Sequence, residues 1–196
     1  METQTMNRTD PSGASQPPGA SAAPPQFTPV DELRRRAREH VSDGPVTADY
    51  DLDPRQVVQL LNEALATELV CVLRYKRHYF TANGVASPAI AEEFLVHANE
   101  ESAHSDRIAE RIVQLGGEPD FNPRTLLDRS HADYDEALDL QAMVRANLVA
   151  ERIAIETYRQ MISLIGDKDP TTRRMLEEIL TDEEEHADEL KDWLDH

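Results

Sequence analysis

Cysteine is almost missing from this sequence: Cys71 stands alone among 196 residues. No intrachain disulfide can form, and a multi-cysteine zinc or iron–sulfur site within one chain is excluded. That usage suits a reducing compartment, so a cytoplasmic protein is expected. Basic residues are scarce beside acidic ones, 20 against 38, and the net charge is -18 at pH 7. Such a balance argues against a folded surface that holds nucleic acid or an anionic membrane, and makes cations the natural partners. Long hydrophobic runs are lacking too. No stretch reaches the roughly 18 continuous apolar residues of a membrane span, and no apolar core of a secretory signal is found near the N-terminus, so no membrane association is expected.

Glycine and proline are sparse where they would interrupt a helix. Seven of the 12 prolines fall within residues 1–53, in clusters such as Gln16-Pro17-Pro18-Gly19 that cannot build a core. Residues 1–53 are read as a Pro-rich, largely disordered extension. Within it, residues 31–41 have the composition of a short helix, docked or transient, with acids leading and bases following. From Pro54 onward, Gly and Pro occur only at 54, 84, 88, 116, 117, 119, 123, 166 and 170. They leave four uninterrupted windows, roughly 54–83, 88–115, 133–165 and 170–195, and these predict four helices in a domain spanning 54–196. Asp53, Ser87 and Asp169 each precede a proline, the cap-then-proline start that helices favour. Two links are short and imply antiparallel neighbours. The link from Gly116 to about Ala132 is long enough to run the length of a bundle, and Thr125–Arg129 within it is predicted as a short helix.

The apolar stripe of every window is interrupted by a carboxylate near its middle: Glu68, Glu101, Glu151 and Glu183. His104 and His186 stand three residues after Glu101 and Glu183, on the same helix face. Burying one ionised carboxylate costs several kcal/mol, and four together would overwhelm a domain stable by about 5–15 kcal/mol. Two histidines cannot neutralise them, whereas divalent cations can. Glu68 and Glu101 are 33 residues apart and Glu151 and Glu183 are 32 apart, which sets both pairs at one level across their turns. Tyr75 and Tyr158 each follow their helix's glutamate by seven residues. The pattern of Glu, then Glu-x-x-His, therefore occurs twice.

This doubled pattern resembles the ferritin-like di-iron carboxylate family, and the resemblance covers roughly residues 54–195. Leu65-Ala66-Thr67-Glu68-Leu69-Val70 and the stretch from Ile179 to His186 are similar to bacterioferritins and bacterioferritin-like Dps (mini-ferritin) proteins. The resemblance implies an all-α, ferritin-like four-helix bundle with a long crossover between its second and third helices. It implies that Glu68 and Glu151 are terminal ligands, that Glu101 and Glu183 bridge two metals, and that His104 and His186 each complete one metal's shell. Two iron ions per subunit are expected, with manganese or zinc also suited to the ligand set. The implied activity is a ferroxidase that oxidises Fe2+ with dioxygen or hydrogen peroxide, stores the ferric product in a homo-oligomeric shell and protects against peroxide. Tyr75 would hydrogen-bond a ligand or donate an electron, and its plainer reading is a core tyrosine.

Two departures refine this. Bacterioferritins hold haem through a methionine just after the second helix's glutamate, where this chain has Ser102, so haem bound in that manner is not expected. Only ten residues follow His186, which leaves no room for a fifth helix and favours a shell of 12 subunits over one of 24. Two alternatives stand beside this reading. One is another di-metal enzyme of the manganese catalase or oxidase kind; the other is a Dps-like, DNA-compacting protein using the arginine-bearing arm. For the latter, gel retardation of the full chain and of a chain starting at Asp49 is expected to show no shift for either. Glu63, Glu100, Glu156, Glu184 and Glu185 lie off the stripes and are read as solvated or inter-subunit charges. His97, four residues before Glu101 on its face, is read either as supporting the ligands or, more plainly, as a hydrogen-bonded histidine near the core edge; Cys71, three after Glu68, either as an oxidant sensor or, more plainly, as a small buried hydrophobe; His78 and His131 carry no specific signal.

Overall fold

Proline and its preceding acid set where the bundle begins. In a computed structural model that describes residues 27–84 and 87–194, Asp53 Oδ1 accepts from the Arg55 amide at 3.0 Å, and Asp169 Oδ1 accepts from the Thr172 amide at 2.9 Å. The described residues form helices α1 (Val30–Arg38), α2 (Pro54–Thr81), α3 (Ser87–Gln114), α4 (Leu126–Arg129), α5 (Leu140–Ile165) and α6 (Pro170–Leu194), with no strand among them. Ser87, expected to be a cap, is itself the first residue of α3, and its hydroxyl donates to the Gly84 carbonyl. Gly166 ends α5 with φ 56°, in the left-handed region that favours glycine.

Helices α2 and α3 form one antiparallel pair and α5 and α6 the other. The pairs close on each other through α2 against α5 and α3 against α6, giving the four-helix bundle that the windows predict. Two apolar clusters fill it. Leu61, Leu65, Ile108, Ile112, Tyr158 and Ile179 belong to one; Tyr75, Ile90, Phe94, Met143, Val144 and Leu190 belong to the other. The buried glutamates and histidines lie between them.

The third helix starts later than its predicted window. Residues 133–139 contain no glycine or proline, yet α5 begins only at Leu140, after Asp139 caps the Ala142 amide. Arginines of α2 take the carbonyls that a helix would have used: Arg74 donates to Asp133 O and Arg77 to Ala137 O, both at 3.1 Å. Tertiary hydrogen bonds have overridden local propensity here. The crossover also packs α4 on the outer side of α2, where Leu126 meets Ala66 and Val70. Gly117 is required at its start, since a Cβ there would lie 2.5 Å from Val58 Cγ1.

Burial on two sides explains the apolarity of α2. No continuous apolar run is present, but α2 contains an 18-residue window of mean hydropathy 1.3, long and apolar enough by composition to cross a membrane. Of that window, 56% is buried inside the protein, against the core on one side and the crossover on the other.

Residues 1–26, about half of the extension expected to be largely disordered, lie outside the described residues. The rest of the extension has structure. Helix α1 is exposed and its arginines are paired internally, Arg35 and Arg36 with Glu32, and Arg35 with Glu39. Farther on, Val46, Tyr50 and Leu52 pack against the bundle core, and the Tyr50 hydroxyl donates to Asp169 Oδ2 at 2.8 Å. Asp169 is the hub of this end of the bundle. It also accepts from Arg111 Nη2 at 2.9 Å and from the Thr172 hydroxyl at 2.6 Å.

Candidate metal centre

Each bundle helix delivers its mid-stripe acid to the layer between the two apolar clusters. Glu68 from α2, Glu101 and His104 from α3, Glu151 from α5, and Glu183 and His186 from α6 are all buried. All six residues predicted as ligands are brought together. They fall into two groups, Glu68, Glu101, His104 and Glu183, and Glu101, Glu151, Glu183 and His186; within each, one ligand atom per residue lies within 4.8 Å of all the others. Glu101 and Glu183 are common to both groups.

Hydrogen bonds fix how each residue faces the layer. The Tyr75 hydroxyl donates to Glu151 Oε1, and the Tyr158 hydroxyl donates to Glu68 Oε1. This leaves Glu68 Oε2 and Glu151 Oε2 without partners, while Glu101 and Glu183 have neither oxygen partnered. His104 Nε2 lies 3.0 Å from Asp182 Oδ2, and His186 Nε2 lies 2.9 Å from Glu100 Oε2. A carboxylate accepts, so in both rings Nε2 carries the proton and Nδ1 offers a lone pair inward. His104 Nδ1 stands 3.1 Å from Glu183, 3.3 Å from Glu68 and 3.5 Å from Glu101. His186 Nδ1 stands 3.8 Å from Glu101 and 3.9 Å from Glu151. Buried acceptors converging with no donor among them are what a pair of cations satisfies.

The charge balance points the same way. Burial and the neighbouring carboxylates push Glu101 and Glu183 well above the ordinary carboxylate range. Burial also opposes a charged His104, but Glu101 and Glu68 outweigh it and lift the imidazole to about 11. In the metal-free protein, protons on Glu101, Glu183 and His104 Nδ1 thus stand in for positive charge, and a cation binding there displaces them and frees the Nδ1 lone pair. Arg74 supplies more: it is buried and donates to Asn147 Oδ1 at 2.8 Å, to Asp133 O, and to Cys71 Sγ at 3.4 Å. Burial works against its charge, yet Cys71, Tyr75, Glu151 and Glu101 hold its pKa above the ordinary value.

Glu100 needs correction as a site residue. It is not merely a solvated charge, since it orients His186 as Asp182 orients His104. The signal was present in the sequence: an acid directly precedes each Glu-x-x-His glutamate, in Glu100-Glu101 and Asp182-Glu183. Glu184 does behave as a surface charge, paired with exposed Arg159. Cys71 is buried, as expected. His97 is buried more deeply than its reading as an edge histidine implied, and its ring stacks on His186 with centroids 4.1 Å apart.

A four-helix bundle with a long crossover and a mid-bundle layer of four glutamates and two histidines defines the ferritin-like architecture. The chain belongs to the ferritin-like domain family, whose model matches residues 58–196. Among its relatives, a nutrient stress-induced DNA-binding protein of Nostoc sp. is 31% identical over 79% of this chain and 85% of its own length. The bacterioferritin of Mycobacterium avium is 29% identical over 73% of this chain and 86% of its own. Among solved structures, the bacterioferritin-related protein of Bacteroides fragilis, described as a dodecameric thioferritin, superposes with a TM-score of 0.71. It is 32% identical and covers 73% of this chain and 86% of its own.

Proposed function

We propose that the protein oxidises ferrous iron at a dinuclear centre held within one chain and stores the ferric product inside a homo-oligomeric shell of 12 subunits. The observation that carries this reading is the division of the orphaned oxygens: one each on Glu68 and Glu151, and both on Glu101 and Glu183. That division suits two terminal and two bridging carboxylates, with His104 and His186 each completing one metal's ligands through Nδ1. Oxygen and imidazole donors in this ratio suit ferrous iron or manganese, and zinc competes by raw affinity. Two ferrous ions together supply the two electrons that reduce hydrogen peroxide to water, or dioxygen to hydrogen peroxide, with protons taken from the solvent. Tyr75 and Tyr158 position Glu151 and Glu68 so that each turns a single oxygen to its metal. The dodecameric Bacteroides relative supports the shell.

The test is ferrous oxidation in the assembled protein. A Glu101→Ala/Glu183→Ala variant of unchanged particle mass is expected to oxidise Fe2+ no faster than buffer. Oxidation at the wild-type rate would sink the proposal. Glu100→Gln and Asp182→Asn keep all six ligands and replace the carboxylate that holds each histidine's Nε2–H by a neutral amide. They are expected to weaken metal binding by about 10–100-fold, read by competition with a coloured chelator.

A further inference from the structure

A second cluster of ligand-type side chains lies next to the centre and shares none of its six residues. Glu93 and His97 of α3 and Glu189 of α6 offer one ligand atom each, all within 4.8 Å of one another. His97 is buried, while the glutamate side chains are 28% and 44% exposed, so the cluster is dry on its imidazole side and open to solvent on the other.

The hydrogen bonds around His97 determine which nitrogen carries its proton. Nδ1 lies 3.2 Å from the Tyr75 hydroxyl oxygen. That hydroxyl spends its own proton on Glu151, so its oxygen accepts and His97 Nδ1 is the donor. In a neutral imidazole the other nitrogen is then a bare lone pair. Nε2 nevertheless faces Glu189 Oε2 at 3.0 Å and Glu93 Oε1 at 3.7 Å. Unless the ring takes a second proton and donates to Glu189, three acceptors meet at one point, and no Lys or Arg of the described residues forms an ion pair with either glutamate. A cation at that point turns the mutual repulsion into attraction. One imidazole and two carboxylates, with open positions toward water, are a ligand set for a first-row divalent cation.

We infer that Glu93, His97 and Glu189 form a mononuclear divalent-cation site, binding through His97 Nε2 and one oxygen of each glutamate, separate from the six-residue centre. The inference does not rest on iron oxidation by that centre. The two sites do communicate. A cation on Nε2 strengthens the Nδ1–H bond to Tyr75, and Tyr75 holds Glu151 of the centre.

Zn2+ serves as the probe, since it has no redox chemistry. The wild-type assembly and a Glu93→Gln/Glu189→Gln variant, which keeps His97 and alters only partly exposed side chains, are dialysed against micromolar Zn2+. Bound metal is counted, and crystals grown from the same samples are measured at the zinc edge. The variant is expected to bind one Zn2+ fewer per chain and to lose an anomalous peak beside His97 Nε2. Equal stoichiometry in the two proteins, or no such peak in the wild type, overturns the inference and leaves the two carboxylates sharing a proton. Failure of the six-residue centre looks different: peaks at Glu101 and Glu183 would be missing while the His97 peak remained.

Discussion

In the presence of a chelator, Glu101→Met and Glu183→Met each raise the thermal unfolding midpoint of the protein. Glu101 and Glu183 are buried with both oxygens unpartnered, beside two further carboxylates and one imidazole that serves three of them. Replacing such a buried charge by an apolar side chain of similar volume is worth about 1–4 kcal/mol, or roughly 2–16 °C at this chain length. Added metal is expected to reverse the order, because the wild type, with both shared carboxylates, gains more binding energy on folding than either variant. The pH dependence has a definite sign. Glu101 and Glu183 titrate well above their unfolded value, so the folded metal-free protein holds protons that the unfolded chain has released. Wild-type stability therefore falls as pH rises above about 4.3 toward the folded pKa values, and the gap to either variant widens. Melting curves in chelator between about pH 5 and pH 8 measure this. A variant less stable than wild type throughout would show that the acids stabilise the fold rather than serve a site.

Asp169→Ala has the opposite effect and a large one, a loss of about 3–5 kcal/mol. Its carboxylate is buried and accepts from Arg111, Thr172 and Tyr50, so its removal strands a buried guanidinium at the junction of α3, α6 and the docked extension. Tyr50→Phe, which removes one bond from the same hub, is expected to cost only about 1 kcal/mol. Burial tends to raise the pKa of Asp169, but the bonds from Thr172, Arg111 and Tyr50 prevail and hold it below the ordinary value. Its contribution is therefore complete above the unfolded pKa near 3.9 and is lost as pH falls through the lower folded value. Denaturant midpoints of wild type and Asp169→Ala should differ fully at about pH 7 and converge only once the pH has fallen below the lowered folded pKa. A constant gap would mean that packing, not charge, carries the effect.

The bundle and its central layer were legible because both depend on local pattern. Gly and Pro mark the helix ends, and an acid inside an apolar stripe is conspicuous at Glu68 as at Glu151. The residues that escaped notice depend on what covers them. Arg74 stands one residue before a stripe position and reads as an ordinary solvated charge until the crossover, some 60 residues later, supplies Asp133 O and α5, about two turns in, supplies Asn147 to bury it. The late start of α5 has the same origin, since no feature of residues 133–139 by themselves forbids a helix. Glu100 and Asp182 sit off the stripes; the acid before each Glu-x-x-His glutamate marks them in the sequence, but which histidine each one holds emerges only when α3 lies beside α6 and each reaches the other helix's ring.

The two apolar clusters are divided by the carboxylate layer, and that division gives the molecule a waist. Each half of the bundle coheres by its own hydrophobic contacts, but across the waist the metal-free chain offers hydrogen bonds and one imidazole among four carboxylates. Cations held by Glu101 and Glu183 would clasp α3 to α6 at that level, and through Glu68 and Glu151 would draw in α2 and α5. A bound cation would then act as a rivet at the weakest cross-section of the chain, and its removal is expected to loosen the middle of the bundle more than either end.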